Sequence, residues 1–383
     1  MFSAFRQWWP LLLGVLAIQI ANGLQSTAVG LRIDAAGFGA LAIALVMSGL
    51  YAGQVASSML SPRAIGRYSH VPAYVGLALL AAAAPSVFLI AGDAVTWAIA
   101  RFVVGFGLAG IYIVVESWLN DRVPNEMRGR VFAVYIQMQL LGLMAAQFLV
   151  PPVAGDMPLA IALVVGFSLL AILPVVVGKA PRPARLPFVK ASFGALLRAS
   201  PVGVVGATVS GFVWAVVMAM APIYAQRTGF DPGGVAIFVA SAVLGGLLLQ
   251  FPLGWLSDLR DRRVVLAGMA GLAALVAIAG AVAGGSSQAA ATAAIMAFGG
   301  LTFPFYSVAV SHVNDRIGAA ERVPASGAMI LLFGVGSIGG PFAASVAMDA
   351  AGAPGFFILL AGVTGALALY AAWRIVVARP SAP

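Results

Sequence analysis

The sequence has no cysteine and only two histidines, His70 and His312. That rules out a disulfide framework and a thiolate nucleophile, and two histidines near loop edges are a poor basis for a metal site. We expect no metal and no redox cofactor. Charge is also scarce, at 9% of 383 residues, where soluble domains carry about 25%. With 62% hydrophobic residues and a mean hydropathy of +1.03, the chain must use lipid as its solvent. Hydrocarbon cannot satisfy backbone polar groups, so only helices or closed barrels cross it, and the apolar runs here have helix length. No nucleotide-binding loop of the Gly-x-x-x-x-Gly-Lys-Ser/Thr type occurs, which excludes direct use of ATP through such a loop. No apolar run combines a nucleophile, a base and an orienting residue, so no enzyme is expected.

What is present is a series of twelve apolar runs, near 7–30, 38–60, 71–92, 95–119, 130–150, 157–178, 202–225, 232–256, 264–284, 288–310, 325–348 and 353–376. The first exceeds a signal-peptide core and contains Gln19, Asn22 and Gln25, so it is expected to be a retained span. If the N-terminus is cytoplasmic, 18 of the 21 Lys and Arg fall on that side, leaving Arg32 and Arg227 opposite and Arg101 inside a span. The net charge of +9 is therefore a topology signal and not a nucleic-acid footprint. Both termini are expected in the cytoplasm.

Pro181, Pro183 and Pro187 stand among basic residues between spans 6 and 7, as in a linker. We expect an N-terminal six-helix bundle over 1–178, a cytoplasmic linker over 179–201 and a C-terminal six-helix bundle over 202–383. The halves repeat. Ser117-Trp118-Leu119-Asn120-Asp121-Arg122 matches Ser311-His312-Val313-Asn314-Asp315-Arg316 at an offset of 194. The same offset sets Gly142 and Ala146 against Gly336 and Gly340, and Gly37-Phe38 matches Gly229-Phe230 at an offset of 192. Three ordered matches argue for duplication.

The stretch Gly254-Trp255-Leu256-Ser257-Asp258-Leu259-Arg260-Asp261-Arg262-Arg263 resembles the loop motif of the major facilitator superfamily (MFS), with Asp261 where glycine is usual. The copy between spans 2 and 3 is degenerate: Gly66 and Arg67 survive, and Arg63 replaces the acid. Arg101-Phe102-Val103-Val104-Gly105 resembles the second motif of that family. Glu116-Ser117-Trp118-Leu119-Asn120, followed by Arg128-Gly129-Arg130, is similar to the bacterial YcaD-like permeases. The antiporter pattern Gly-x-x-x-Gly-Pro is missing from span 5, where Gly142, Ala146 and Gln147 stand, and a similar string ends at Pro341 on span 11. The resemblance implies an all-α integral membrane protein of twelve transmembrane helices in two pseudo-symmetric bundles. It further implies a secondary transporter of the bacterial inner membrane, working by alternating access as a monomer among membrane lipids on a small-molecule substrate. Proton coupling is the expected drive. The alternatives are a proton-driven multidrug efflux antiporter and a non-transporting sensor or assembly partner.

Certain residues stand out for mechanism. A charge inside the bilayer costs at least about 2.5–3.5 kcal/mol on insertion scales, so Arg101 needs a partner or a function. Gly105, Tyr112 and Glu116 share its stripe at helical spacing. Arg101 is expected to position an anionic group or to couple to proton movement, unless it simply bonds to polar groups of span 1. Glu116, about 22 Å along the helix, is either a protonatable coupling carboxylate or, as preferred here, a gate partner of Arg63. Asp258 is expected to cap or pair near the start of span 5, while Arg260, Arg262 and Arg263 hold helix ends and anionic headgroups. Gln19, Asn22, Gln25 and Ser26 share one face of span 1. Family geometry adds Trp214, Thr302 and Tyr306 to a central cavity, with Gln137 and Gln147 as weaker candidates.

Overall fold

In the computed structural model, which describes residues 2–178, 193–284, 287–318 and 322–377, every regular element is helical. The chain divides into two compact units, Met1–Phe188 and Val189–Pro383. The first contains α1 (Phe2–Ala35), α2 (Ala40–Tyr68), α3 (His70–Leu89, its last turn tightened to 3-10 from Ala84), α4 (Ala94–Arg122), α5 (Asn125–Gln147) and α6 (Met157–Val177, interrupted at Ala171). The second contains α7 (Pro201–Arg227), α8 (Pro232–Leu259), α9 (Arg262–Ala283), α10 (Gln288–Asn314, broken at Phe303-Pro304), α11 (Arg322–Ala351) and α12 (Gly355–Val377). Of the expected linker, residues 179–192 lie outside the described residues. The remainder forms a short helix, Phe193–Ala199, and Ser200, which caps α7.

Helix starts follow from local chemistry. Asp93, Asp156 and Asp231 each accept a backbone N–H three residues on, at 2.8–2.9 Å, and Ser287 does so at 3.2 Å. These caps satisfy one of the orphan donors at the first turns of α4, α6, α8 and α10. Among the described residues, eleven helices are long and apolar enough to cross a membrane. α5 is the more polar twelfth, with Arg128 and Arg130 near its start and three glutamines beyond.

Duplication is visible at the level of single contacts. α1 packs on α5 and α2 on α4; in the second unit α7 packs on α11 and α8 on α10. A Cβ on Gly105 would overlap the Leu50 carbonyl, and one on Gly299 would overlap that of Ala242. Gly53 meets the Phe102 carbonyl as Gly245 meets that of Met296, and Gly142 meets the Leu16 carbonyl as Gly336 meets that of Thr208. Residues of the first two helices repeat at an offset of 192, those of the fourth and fifth at 194. The ends of α1 and α7 agree as well. Gly37 and Gly229 take φ of +71° and +82°, and Phe38 N–H bonds the Ile33 carbonyl as Phe230 N–H bonds that of Ala225. This is the Schellman closure that glycine favours.

The helices outrun the apolar segments. α2 continues to Tyr68, so Arg63, Gly66 and Arg67 lie on its exposed last turns and not in a loop, leaving Ser69 as the connection. Arginine is a good helix former, and nothing there breaks the helix. Gly254 and Asp258 likewise belong to α8.

Candidate functional site

The polar residues of the first unit converge between α1, α4 and α5. Gln19 Nε2 donates to Gln139 Oε1 at 3.3 Å, and Thr27 Oγ1 to Gln147 Oε1 at 3.0 Å. Both pairs span 120 residues, so α1 and α5 run parallel in constant register over two helical turns. Between them Gly23 faces Ala146 and Leu143, and small residues let the backbones approach. Gln19 Oε1 also accepts from Tyr112 Oη on α4 at 2.7 Å and from Asn22 Nδ2 at 3.1 Å. One amide therefore ties three helices together.

Seven residues from the start of α4, Arg101 is fully buried, and its Nη1 donates to Gln25 Oε1 at 3.5 Å and to Ser26 Oγ at 3.3 Å. No carboxylate among the described residues pairs with it. Glu116, near the other end of α4, is half-buried and accepts from Tyr135 Oη of α5 at 2.9 Å.

These partners revise several expectations. Glu116 is not joined to Arg63, which donates instead to the Met59 carbonyl of its own helix at 2.8 Å. With Arg63 on the exposed end of α2, its short route to an acceptor is one turn back. The Arg101 stripe does not share one outlook: Gly105 presses on α2, Tyr112 reaches α1, and Glu116 reaches α5. Gln137 is exposed, and Gln139, two positions on and about 200° around the helix, makes the contact. Gln139, Thr27 and Tyr135 were missed. The eight-residue spacing shared by Gln19 and Thr27 with Gln139 and Gln147 was the available signal. The histidines, although at helix ends, are buried; His70 bonds Ser117 Oγ at 3.0 Å and His312 meets Arg316 at 2.7 Å.

In the second unit the three expected cavity residues meet neighbours of their own unit. Trp214 packs on Phe303 with centroids 4.7 Å apart, Tyr306 meets Phe333 edge-on at 5.3 Å, and buried Thr302 donates to the Phe298 carbonyl of its own helix at 2.8 Å. At the repeat offsets, Arg101 corresponds to Ile295, Gln19 to Gly211, Asn22 to Trp214, Gln25 to Val217, Ser26 to Met218, Glu116 to Val310 and Tyr135 to Met329; Tyr112 alone keeps its type, as Tyr306.

The loop motif of the second unit centres on Arg262, which pairs with Asp258 at 2.9 Å and Asp315 at 2.7 Å and donates to Ser257 Oγ at 3.0 Å. Asp258 thus pairs four residues onward, across the turn, with the first residue of α9, and not at the start of α5. Arg263 binds Asp261 at 2.7 Å, and its hydrogen bond holds that carboxyl below the usual carboxylate range. Arg260 is exposed, and neither Gly66 nor Gly254 has a neighbour that a Cβ would meet. Since Arg262 serves three acceptors and Asp258 is largely exposed, Arg262→Gln is expected to cost about 1 kcal/mol and Asp258→Asn under about 0.5 kcal/mol. Thermal unfolding in detergent micelles measures both; equal losses would show that Arg262 is not the hub.

Comparison with known proteins agrees with this architecture. The Major Facilitator Superfamily profile matches residues 11–231 and again 203–383. The chain is 28% identical over 366 residues to the uncharacterized MFS-type transporter YcaD of Salmonella paratyphi A, covering 95% of this chain and 94% of that one. Among solved structures it resembles a variant of the nucleoside transporter NupG, with a TM-score of 0.79 at 14% identity over 95% and 99% of the two chains. It also resembles a D-xylose-proton symporter, with a TM-score of 0.75 at 14% identity over 94% and 95%. All three are transporters and not enzymes. Matched in both halves to one family profile, and built as an all-helical protein with many membrane-crossing segments, the chain belongs to the major facilitator superfamily.

Proposed function

We propose that this transporter moves a small organic solute across the bacterial inner membrane by alternating access, coupled to protons, as a monomer with both termini in the cytoplasm. One observation carries the reading: among the described residues the fully buried amides and arginine, Gln19, Gln25, Gln147 and Arg101, all lie in the first of two otherwise matched units. Buried polar groups are costly in a bilayer. The second unit follows the same helix pairing with Ile295, Gly211, Val217 and Val310 where the first has Arg101, Gln19, Gln25 and Glu116. The fold itself does not demand the polar set, which leaves the solute and its coupling ion as the reason for it.

Coupling falls to Glu116. Among the described residues it is the one acidic side chain set more than a helical turn from every helix end. A phenol partner, unlike a cation, leaves a carboxylate free to gain and lose a proton. The D-xylose-proton symporter offers a precedent for such coupling on this fold. With no ATP-binding loop of the Gly-x-x-x-x-Gly-Lys-Ser/Thr type in the sequence, uphill transport draws on an ion gradient, and the placement of 18 of 21 basic residues supports the orientation.

The test uses inside-out vesicles enriched in the protein and energised to an acidic interior, with a pH-sensitive dye and a panel of organic anions, neutral metabolites and lipophilic drugs. Dye recovery elicited by one compound class, and absent from vesicles without the protein, is the expected result. Silence across the panel from folded protein would overturn proton-coupled export and send the search to uptake or exchange.

A further inference from the structure

We infer that Arg101, with Gln25 and Ser26, forms a recognition site for an oxyanion, so that the solute carries a carboxylate or a phosphate group. The inference rests on the transport reading above only in calling the ligand a solute; the site itself stands on geometry.

A guanidinium has five N–H donors and no acceptor. Here Nη1 makes two long contacts, 3.5 Å to Gln25 Oε1 and 3.3 Å to Ser26 Oγ, where charge-assisted bonds to oxygen usually run about 2.7–2.9 Å. Nε is buried without a hydrogen-bond partner. Nε thus remains for a ligand, and it lies on the edge by which a guanidinium meets an oxyanion side-on. Beside it the Gln25 amide Nε2 is also buried and unpartnered, although its Oε1 faces Arg101. Two unsatisfied donors and a positive charge, with no carboxylate paired to it among the described residues, form an acceptor-poor place. An unsatisfied buried donor costs about 1–3 kcal/mol, more when charged, and the repeat-equivalent Ile295 and Val217 show that the helix pair does not require either side chain.

The arginine is held in place. A Cβ on Gly49 of α2 would stand 3.3 Å from the Arg101 Cβ, so the stem is confined where α2 and α4 touch. A fork whose base is fixed needs less ordering when it binds. Because Arg101 and Gln25 are 0% and 1% exposed, solute reaches the fork only when the first unit opens, as alternating access requires.

The experiment is a thermal-shift titration of the purified full chain in nanodiscs. The probes are benzoate, lactate and succinate, their uncharged amides, glycerol 3-phosphate and glycerol. At least one oxyanion is expected to raise the melting temperature in a saturable way while its uncharged counterpart does not. The carboxylate and phosphate arms decide between those two groups. Arg101→Lys, which keeps charge but loses the fork, is expected to weaken binding about tenfold or more, and Arg101→Gln to abolish it. Gln25→Glu keeps the side-chain size and supplies an internal counter-ion. It is expected to fold at least as well as the parent and to lose the oxyanion shift, so the result does not depend on whether Arg101→Gln folds. Stabilisation by the uncharged probes equal to the anions, an anion shift unchanged in Gln25→Glu, or no shift with any oxyanion would overturn the proposal. Neutral compounds moving protons in the vesicle assay would sink this inference and leave the transport reading standing; oxyanion binding with no flux would do the reverse.

Discussion

Gly105→Leu is expected to prevent the first unit from assembling, and Gly299→Leu to do the same to the second. Each glycine faces a main-chain carbonyl, that of Leu50 or Ala242, at a separation that leaves no room even for a methyl group. Overpacking a core typically costs about 1–3 kcal/mol when side chains can yield. Here backbone would have to move along a whole helix pair, so at least about 3 kcal/mol and a fall in melting temperature of about 10 °C are expected. Gly166→Leu and Gly268→Leu are the controls, because both glycines are exposed and have nothing within 4 Å of an added Cβ. Fluorescence-detected size exclusion after heating separates the two groups. A Gly105→Leu protein as monodisperse and heat-resistant as Gly166→Leu would contradict the close packing of α2 on α4.

The second large effect concerns coupling. Glu116→Gln keeps an oxygen to accept from Tyr135 Oη, now at 2.9 Å, but removes the titrating group. In proteoliposomes, uphill accumulation driven by a pH gradient is expected to fall at least about tenfold, while exchange of labelled for unlabelled solute continues, because exchange needs no net proton movement. Tyr135→Phe should change the pH profile without abolishing accumulation, since the carboxylate remains. If Glu116→Gln accumulates solute like the parent, another group carries the proton. If both exchange and accumulation vanish, Glu116 belongs to solute binding or to the gate.

The spans and the duplication could be read from the sequence because lipid imposes a length on apolar runs and because Asn120-Asp121-Arg122 and Asn314-Asp315-Arg316 survive as text. The same reading stopped the helices too early at Arg63, Arg67 and Asp258, because charge marks the membrane boundary and does not end a helix. Arg101 and the polar face of α1 were recognisable as polar groups in an apolar setting. Their partners were not. Choosing Gln139 over Gln137, or Tyr135 over Arg63 for Glu116, depends on the rotational phase of α5 and on how far α2 projects, which are set by packing and leave little trace in composition.

The carbonyl-to-glycine seams of α2 on α4 have a mechanical consequence. Where backbone rests on backbone there is no layer of rotamers to shear, so the pair responds to load as a single stiff plate. Arg101 rides on that plate, whereas Gln25 and Ser26 ride on α1, which meets it through side-chain hydrogen bonds, long ones at Arg101 and a short one from Tyr112 to Gln19, and these are more compliant than backbone resting on backbone. Compliance in the first unit thus lies on the α1 side, and uncovering the arginine is a matter of displacing α1 from a fixed wall and not of parting the wall itself.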